Sequence, residues 1–367
     1  MSSSNLIHVV EHDDIAEGRK RLGRFLIRGS FLLLVVVATA QLLQVLGVVE
    51  LGFENWQPTF FVYVFWAVAL CVGQVLIRGE QGKRLLFVLP SALFVVSLTV
   101  IPLIFGLAIA FSDWNLASRD GPQFAGLGNI EKMLDDKFYW NALVNMAFYT
   151  ILILVEYVIA FALALLLNAQ IRARRFFRVA FLLPLMMSPV AVSWILGKSM
   201  LEFRFGPVAR FARELGWDNP AFFASPELAR VTIGFLDAWT WIPFMMLLLL
   251  AGLQALPREV IEAARVDGAS AWQSFRRIIF PLMLPVSITA IVVRIIFKLK
   301  LADIVINITA GGPGGSTDTV TSFIYREYRD RSNVGYGTLL AMFYLVIIVV
   351  GLTLLIRGLS RWMRPYS

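Results

Sequence analysis

The sequence predicts an all-α, polytopic membrane protein with about eight transmembrane helices, and three observations carry that expectation. Hydrophobic residues make up 58% of the 367 and charged residues only 16%, with a mean hydropathy of +0.73, which is more apolar surface than a soluble chain of this length can bury. Apolar runs of about 20 residues, enough to cross a hydrocarbon layer of about 30 Å, recur eight times. Lysine and arginine gather on alternate connecting segments, as the positive-inside rule requires of a multi-pass chain.

Taken in order, residues 1–28 form a polar tail containing both histidines, His8 and His12, and the basic set Arg19, Lys20, Arg21, Arg24 and Arg28 directly ahead of the first apolar run. The tail has no apolar core of signal-peptide length, so it reads as a retained cytosolic segment. The runs fall near 29–49, 57–77, 85–111, 141–167, 176–200, 231–255, 279–299 and 338–358. With the N-terminus inside, the inner segments hold 19 basic and 8 acidic residues and the outer loops 12 and 15. Both termini are therefore expected in the cytoplasm, and orientation in a membrane accounts for the formal net charge of +8. A nucleic-acid partner is not expected, because the basic residues flank spans and form no single face.

Several chemistries are disfavoured. The lone cysteine, Cys71, sits inside an apolar run and has no partner for a disulfide. Histidines confined to the tail leave no cluster with metal-ligand spacing, so no metal and no cofactor is expected. "TAGGPGGSTDT", Thr309 to Thr319, is a turn-rich loop without the lysine of a phosphate cradle, and "GEQGKR", Gly79 to Arg84, has the wrong spacing for one. The chain is not expected to hydrolyse ATP or to be an enzyme.

One segment is unusual for its place. "EAARVDGASAWQSFRRIIFPLMLP", Glu262 to Pro285, joins the sixth and seventh runs on the inner side. It follows Pro257, which suits the first turn of a helix. Residues 257–267 read as one short helix, Gly268 as its left-handed stop, and a second short helix comes next. Small residues around the turn (Ala263, Ala264, Ala269, Ala271) suit docking into a groove of another protein. On composition alone, a plain connecting loop carrying inner-face arginines is the equal alternative.

This segment resembles the EAA signature of the integral permease subunits of bacterial ABC importers: Glu-Ala-Ala, a glycine four residues on and a distal Leu-Pro. "GLGNIEKML" (126–134), "RFFRVAFLLPLMMSPVAVSWI" (175–195), "AWTWIPFMMLLLLAGLQALPREVIEAA" (238–264) and "TAGGPGGSTDT" ahead of "FIYREY" resemble the carbohydrate-importing branch, similar to its larger, maltose-type permease. The resemblance implies an ABC importer type I permease fold over 85–367, with a cytosolic coupling loop about 256–278. It implies two additional N-terminal helices within 29–80, and a periplasmic domain after the third span reduced to roughly thirty residues. The implied partners are a second homologous permease, two cytosolic ATP-binding subunits, a periplasmic solute-binding protein and a sugar-type solute, at the inner membrane. Glu262, Ala263, Ala264, Asp267 and Gly268 would couple the chain to an ATPase subunit, whose closure would reach the spans as a rigid-body movement. The competing reading is an ATPase-independent secondary carrier.

Charges inside the spans bear on the solute. Arg294 and Lys298 lie four apart in the seventh run, on one helix face, with Leu301 three further along. By the same resemblance this face, with Thr240, Trp241 and Phe244 of the sixth run, lies on the substrate path. Two roles stay open for Arg294 and Lys298: binding an anionic sugar, or ion pairing with Glu156 and Asp237 at similar depths.

Overall fold

The computed structural model describes residues 16–45, 47–169 and 174–363. His8, His12, Arg172 and Arg364 lie outside them. The chain divides into two compact units, one joining the residues up to Glu131 with Ser332–Met342 and the other joining Lys132–Arg331 with the segment from Phe343 on.

The first unit is dominated by three long helices: α1 (Glu17–Val45), α2 (Gln57–Arg78) and α3 (Glu80–Ala110). α1 starts well inside the stretch read as a tail, so Arg19 to Arg28 sit on its first turns. Lys and Arg are good helix formers, and Lys20 and Arg24 both reach back to Glu17, at 3.3 and 3.6 Å. α1 and α2 approach closely at two glycines. A Cβ on Gly23 would stand 2.8 Å from the Gly73 carbonyl oxygen, and one on Gly73 would stand 2.5 Å from Ile27, the small-residue contact by which helices associate in lipid. Buried Gln41 closes the following turn with both amide groups on the backbone of Phe53, at 3.1 and 2.9 Å. A two-residue antiparallel ladder, β1 (Ser112–Asp113) with β2 (Gln123–Phe124), comes after α3, and α4 (Gly128–Asp135) leads out of this region.

The second unit carries the remaining spans. α5 (Lys137–Ile151) is capped by Asp136, whose carboxylate accepts from the N–H groups of Phe138 and Tyr139, and it runs through a break at Leu152 into α6 (Ile153–Asn168). The fifth apolar run, expected as one span, is bent by 97° between α7 (Arg174–Met186) and α8 (Pro189–Val192), which continues as a wide π-type turn over Ser193–Met200. Pro189 cannot donate to the preceding turn, and the Ser188 hydroxyl accepts from Ala191 N–H at 3.2 Å to start a new helix there. Among the described residues seven helices are long and apolar enough to cross a membrane, and the bent pair, counted as one span, gives eight.

After α9 (Pro207–Glu214), the helix α10 (Pro226–Ala255) starts at Ser225, whose hydroxyl accepts from Leu228 N–H at 3.3 Å. α11 (Arg258–Val266) and α12 (Ala271–Ser274) follow. The second coupling helix does not end before the seventh span. α12 runs through a π-type turn at Phe275–Ile279 directly into α13 (Phe280–Lys298), one helical run from Ala271 to Lys298, because nothing between Ser270 and Phe280 breaks it. Beyond lie α14 (Asp303–Ile308), α15 (Val320–Arg329) and α16 (Val334–Met363).

An apolar core is built where α6, α10 and α13 meet: Ile153, Ala160, Phe161 and Ala164 against Met245, Met246, Leu249, Leu253 and Met283. A second cluster joins Tyr149, Ile233 and Leu236 to Leu301, Ile304 and Val305.

Candidate functional site

The coupling segment is assembled from backbone rules. Pro257 caps α11 with φ −60° and ψ 123°, so the helix proper covers 258–266. At its other end Gly268 takes φ +77°. Gly268 N–H donates to Arg265 O at 3.1 Å and Ala269 N–H to Ala264 O at 3.0 Å, the paired bonds of a Schellman stop. No atom lies within 4 Å of where a Gly268 Cβ would be, so glycine is needed there for its backbone freedom alone. Ser270 then begins α12 with a capping box to Gln273, at 3.2 and 2.8 Å. Of the proposed coupling residues, Glu262, Ala263, Asp267 and Gly268 are exposed, whereas Ala264 is buried. Glu262 also borders a cleft of about 1050 Å³, which Asn168, Arg178, Arg258 and Arg265 help to line.

Val266 and Trp272, 87% and 66% exposed, stand out from this polar loop, and Trp272 stacks on Phe275 at 5.6 Å. Sequence reasoning passed over both. An isolated tryptophan outside every apolar run was the available signal, because exposed aromatic anchors mark protein interfaces.

Deep in the spans, α13 brings Arg294 and Lys298 onto two carboxylates from other helices. Arg294 Nε donates to Glu156 Oε2 at 2.7 Å and its Nη2 to Glu156 Oε1 at 3.3 Å, and Lys298 Nζ donates to Glu156 Oε1 at 2.8 Å. Both cations also bond Asp237 Oδ2. All four side chains are at most 3% exposed. Two positive and two negative charges thus close on themselves, tying α6, α10 and α13 together. Burial of either sign alone would be prohibitive, and only mutual pairing makes it tolerable. Arg294 Nη1 alone in this group makes no hydrogen bond, and the guanidinium lies 5.4 Å from the centre of the Trp241 ring.

Next to the charges is an aromatic group. Trp241 stacks on Phe297 at 4.6 Å, and Phe244 meets both rings edge-on at 6.0 Å. All three are partly exposed. Phe297 lies between the two cations in sequence, where one more aromatic residue in an apolar run carries no signal of its own. Thr240 and Leu301 do not join this surface. Thr240 is buried and its hydroxyl donates back to Leu236 O at 3.1 Å. α13 ends at Lys298, so Leu301 leaves the helix face and sinks into the core with Ile304 and Val305, its carbonyl accepting from the Thr319 hydroxyl.

In the same unit the glycine-rich loop is fastened to α5. Asn141 and Asn145 donate to Gly315 O at 2.7 and 3.0 Å, and Asn145 also donates to Asp318 O at 2.9 Å. Asp318 is buried, accepts from Ser322 Oγ at 3.0 Å and pairs with Arg326. Burial pushes its carboxyl up to about 6, against the opposing pull of the Arg326 guanidinium.

Residues 137–365 match the family described as binding-protein-dependent transport system inner membrane component. Over 266 residues the chain is 30% identical to the probable starch degradation products transport system permease protein AmyD of Thermoanaerobacterium thermosulfurigenes, covering 72% of this chain and 89% of that one. It is 31% identical over 258 residues to the trehalose/maltose transport system permease protein MalF of Thermococcus litoralis, covering 69% and 87%. Its fold is similar to a chain in the crystal structure of a bacterial alginate ABC transporter in complex with an alginate pentasaccharide-bound periplasmic protein, with a TM-score of 0.64 at 20% identity over 86% of this chain and 98% of that one.

Proposed function

Since this chain belongs to the binding-protein-dependent inner membrane transport components, we propose that it is the permease subunit through which an ATP-driven importer takes a sugar-type solute from a periplasmic binding protein into the cytoplasm. In this reading both termini and the 256–278 loop are cytosolic. A second, related permease completes the pathway, and two separate ATP-binding subunits supply the hydrolysis.

One observation carries the coupling role. The Schellman stop at Gly268 presents an exposed short helix, and the next helical turn is continuous with α13. A push on α12 therefore reaches the buried charge cluster along one helical run, which is what rigid-body switching of access demands. Glu262, Ala263, Asp267 and Gly268 form the exposed part of this contact, and Val266 and Trp272 add its apolar anchors. For the solute, Trp241, Phe244 and Phe297 offer the aromatic surface on which a sugar ring stacks. Arg294 and Lys298 act in this account as ties between helices, because Glu156 and Asp237 neutralise them.

The test is Gly268→Val beside Gly268→Asn in the assembled transporter. A β-branched residue resists φ +77°, whereas asparagine tolerates it. Uptake and solute-stimulated ATPase activity should collapse in the first and survive in the second, with membrane insertion intact in both. Unimpaired coupling in Gly268→Val removes the docking role, and uptake by this chain without any ATPase establishes the secondary-carrier alternative.

A further inference from the structure

The connection between the bent span and α10 contains an amphipathic helix whose apolar face no described residue covers. Val208, Phe211 and Leu215 follow one another at helical spacing along one side of α9 and its C-terminal cap, and they are 39%, 60% and 73% exposed. Arg210, Arg213 and Glu214 occupy the other side. Phe205 before the helix and Trp217 after it are also exposed, by 64% and 41%.

This segment is an ordered piece and not a loose loop. Arg213 Nη1 donates to Phe203 O at 2.8 Å, and Trp217 packs edge-on against Phe222 at 5.2 Å. It is also short-tethered. Gly206 N–H donates to Glu202 O at 2.8 Å, and a Cβ on Gly206 would come within 2.5 Å of the carbonyl oxygens of both Met200 and Glu202. The chain is thus folded tightly onto the end of the span that finishes at Met200, and α9 has no freedom to move away from it. That span end carries Trp194 with Lys198 Nζ 4.5 Å above its ring, the aromatic and snorkelling-lysine pair of a membrane–water boundary.

We propose that α9 is an interfacial helix, lying in the plane of the outer leaflet with Val208, Phe211 and Leu215 among the upper acyl chains and Arg210 at phosphate depth. The separation of aromatic and aliphatic residues from arginines on so short a helix is the pattern of a membrane-surface segment. Tethering within a turn of the span end sets its depth. The consequence is an anchor: the outer limb of the 97° bend is held at the boundary while the inner parts of the bundle move. Assignment to the outer leaflet rests on the topology proposed above, and the lipid contact itself does not.

The test uses the full transporter, with its partner subunits, in phospholipid vesicles. In a Cys71→Ser background, nitroxide labels are placed at Phe211→Cys or at Arg210→Cys, and their relaxation by oxygen and by a membrane-impermeant nickel chelate is compared. At 211 oxygen should dominate and at 210 the chelate, and addition of the binding protein should change neither. The side of the vesicle from which the chelate reaches 210 reports topology independently, so a wrong leaflet and a wrong lipid contact are distinguishable. Equal chelate access at both positions overturns the proposal. So does shielding of 211 from both reagents, which means that protein covers the face, whether at rest or only with the binding protein present. Should Phe211→Cys fail to assemble, Leu215→Cys reads the same face.

Discussion

The helices α1 to α3 and the helix α10 are both apolar enough to cross a membrane, yet the protein treats them in opposite ways. In the most apolar stretch of each, 11% of residues are buried within the chain in α1, α2 and α3, against 56% in α10. Mean hydropathy runs the other way, 2.0, 2.3 and 2.6 for the first three helices and 1.7 for α10. In lipid a leucine gains little by leaving the acyl chains for a protein neighbour, so hydropathy does not select the interior. What selects it is the polar group that lipid cannot serve. α10 carries Asp237, Arg294 and Lys298 come from α13 and Glu156 from α6, and these three helices share the core. The apolar runs 29–49, 57–77 and 85–111 of the first helices carry no charge, and α1 and α2 hold together through Gly23 and Gly73 instead.

The largest effect that would break this comparison is expected at the cluster. Asp237→Asn removes one carboxylate from two buried cations and should cost about 3–5 kcal/mol, seen as loss of assembled protein on size-exclusion chromatography. Adding Lys298→Gln should restore both assembly and uptake if the group is a structural tie. A well-assembled double variant that transports nothing would instead return Lys298 to solute binding, and uptake of an anionic sugar over a neutral one by the wild type would then be the discriminating measurement.

Next in size is a pair of truncations with similar chemistry. Leu249→Ala, at a fully buried site of α10, should lower stability by about 2–5 kcal/mol, whereas Phe87→Ala, 88% exposed on α3, should change it by no more than about 0.5 kcal/mol. Thermal unfolding of the purified transporter reads both. Equal losses would mean that the exposed faces of α1 to α3 are covered by a partner and not by lipid.

The smallest effect concerns Asp318, a buried carboxylate held by Arg326 where Asp237 is held by two cations. Its folded-state value near 6 lies above the ordinary 3.8, so the folded protein binds the proton more tightly than the unfolded one. The stability it contributes is complete below about pH 4 and is lost as pH rises through about 6. Asp318→Asn should flatten that part of the pH profile, measured as hydrogen exchange in the 309–319 loop between pH 4 and 7. An unchanged profile would assign the slope to another group.

Local chemistry alone determined a good deal of this protein. Run length and hydropathy specify the spans, and a single glycine between two helix-forming stretches specifies the stop at Gly268; the restart at Pro189 is equally local, a serine before a proline, but an unbroken apolar run hides it. These are properties of adjacent residues, which interact whatever the rest of the chain does. The sequence also placed Arg294 and Lys298 on one face, because helical spacing is local too. It left open whether they meet solute or carboxylate, since Glu156 lies 138 residues from Arg294 and Asp237 lies 57 away. Only the packing of α6, α10 and α13 brings these groups within bonding distance. The same holds for Thr240 and Leu301, expected on a substrate path by resemblance alone, whose side chains face a backbone carbonyl and the core. Which way a side chain points depends on where its helix ends and what lies beside it, and in a membrane protein that choice belongs to the few polar groups that must find one another.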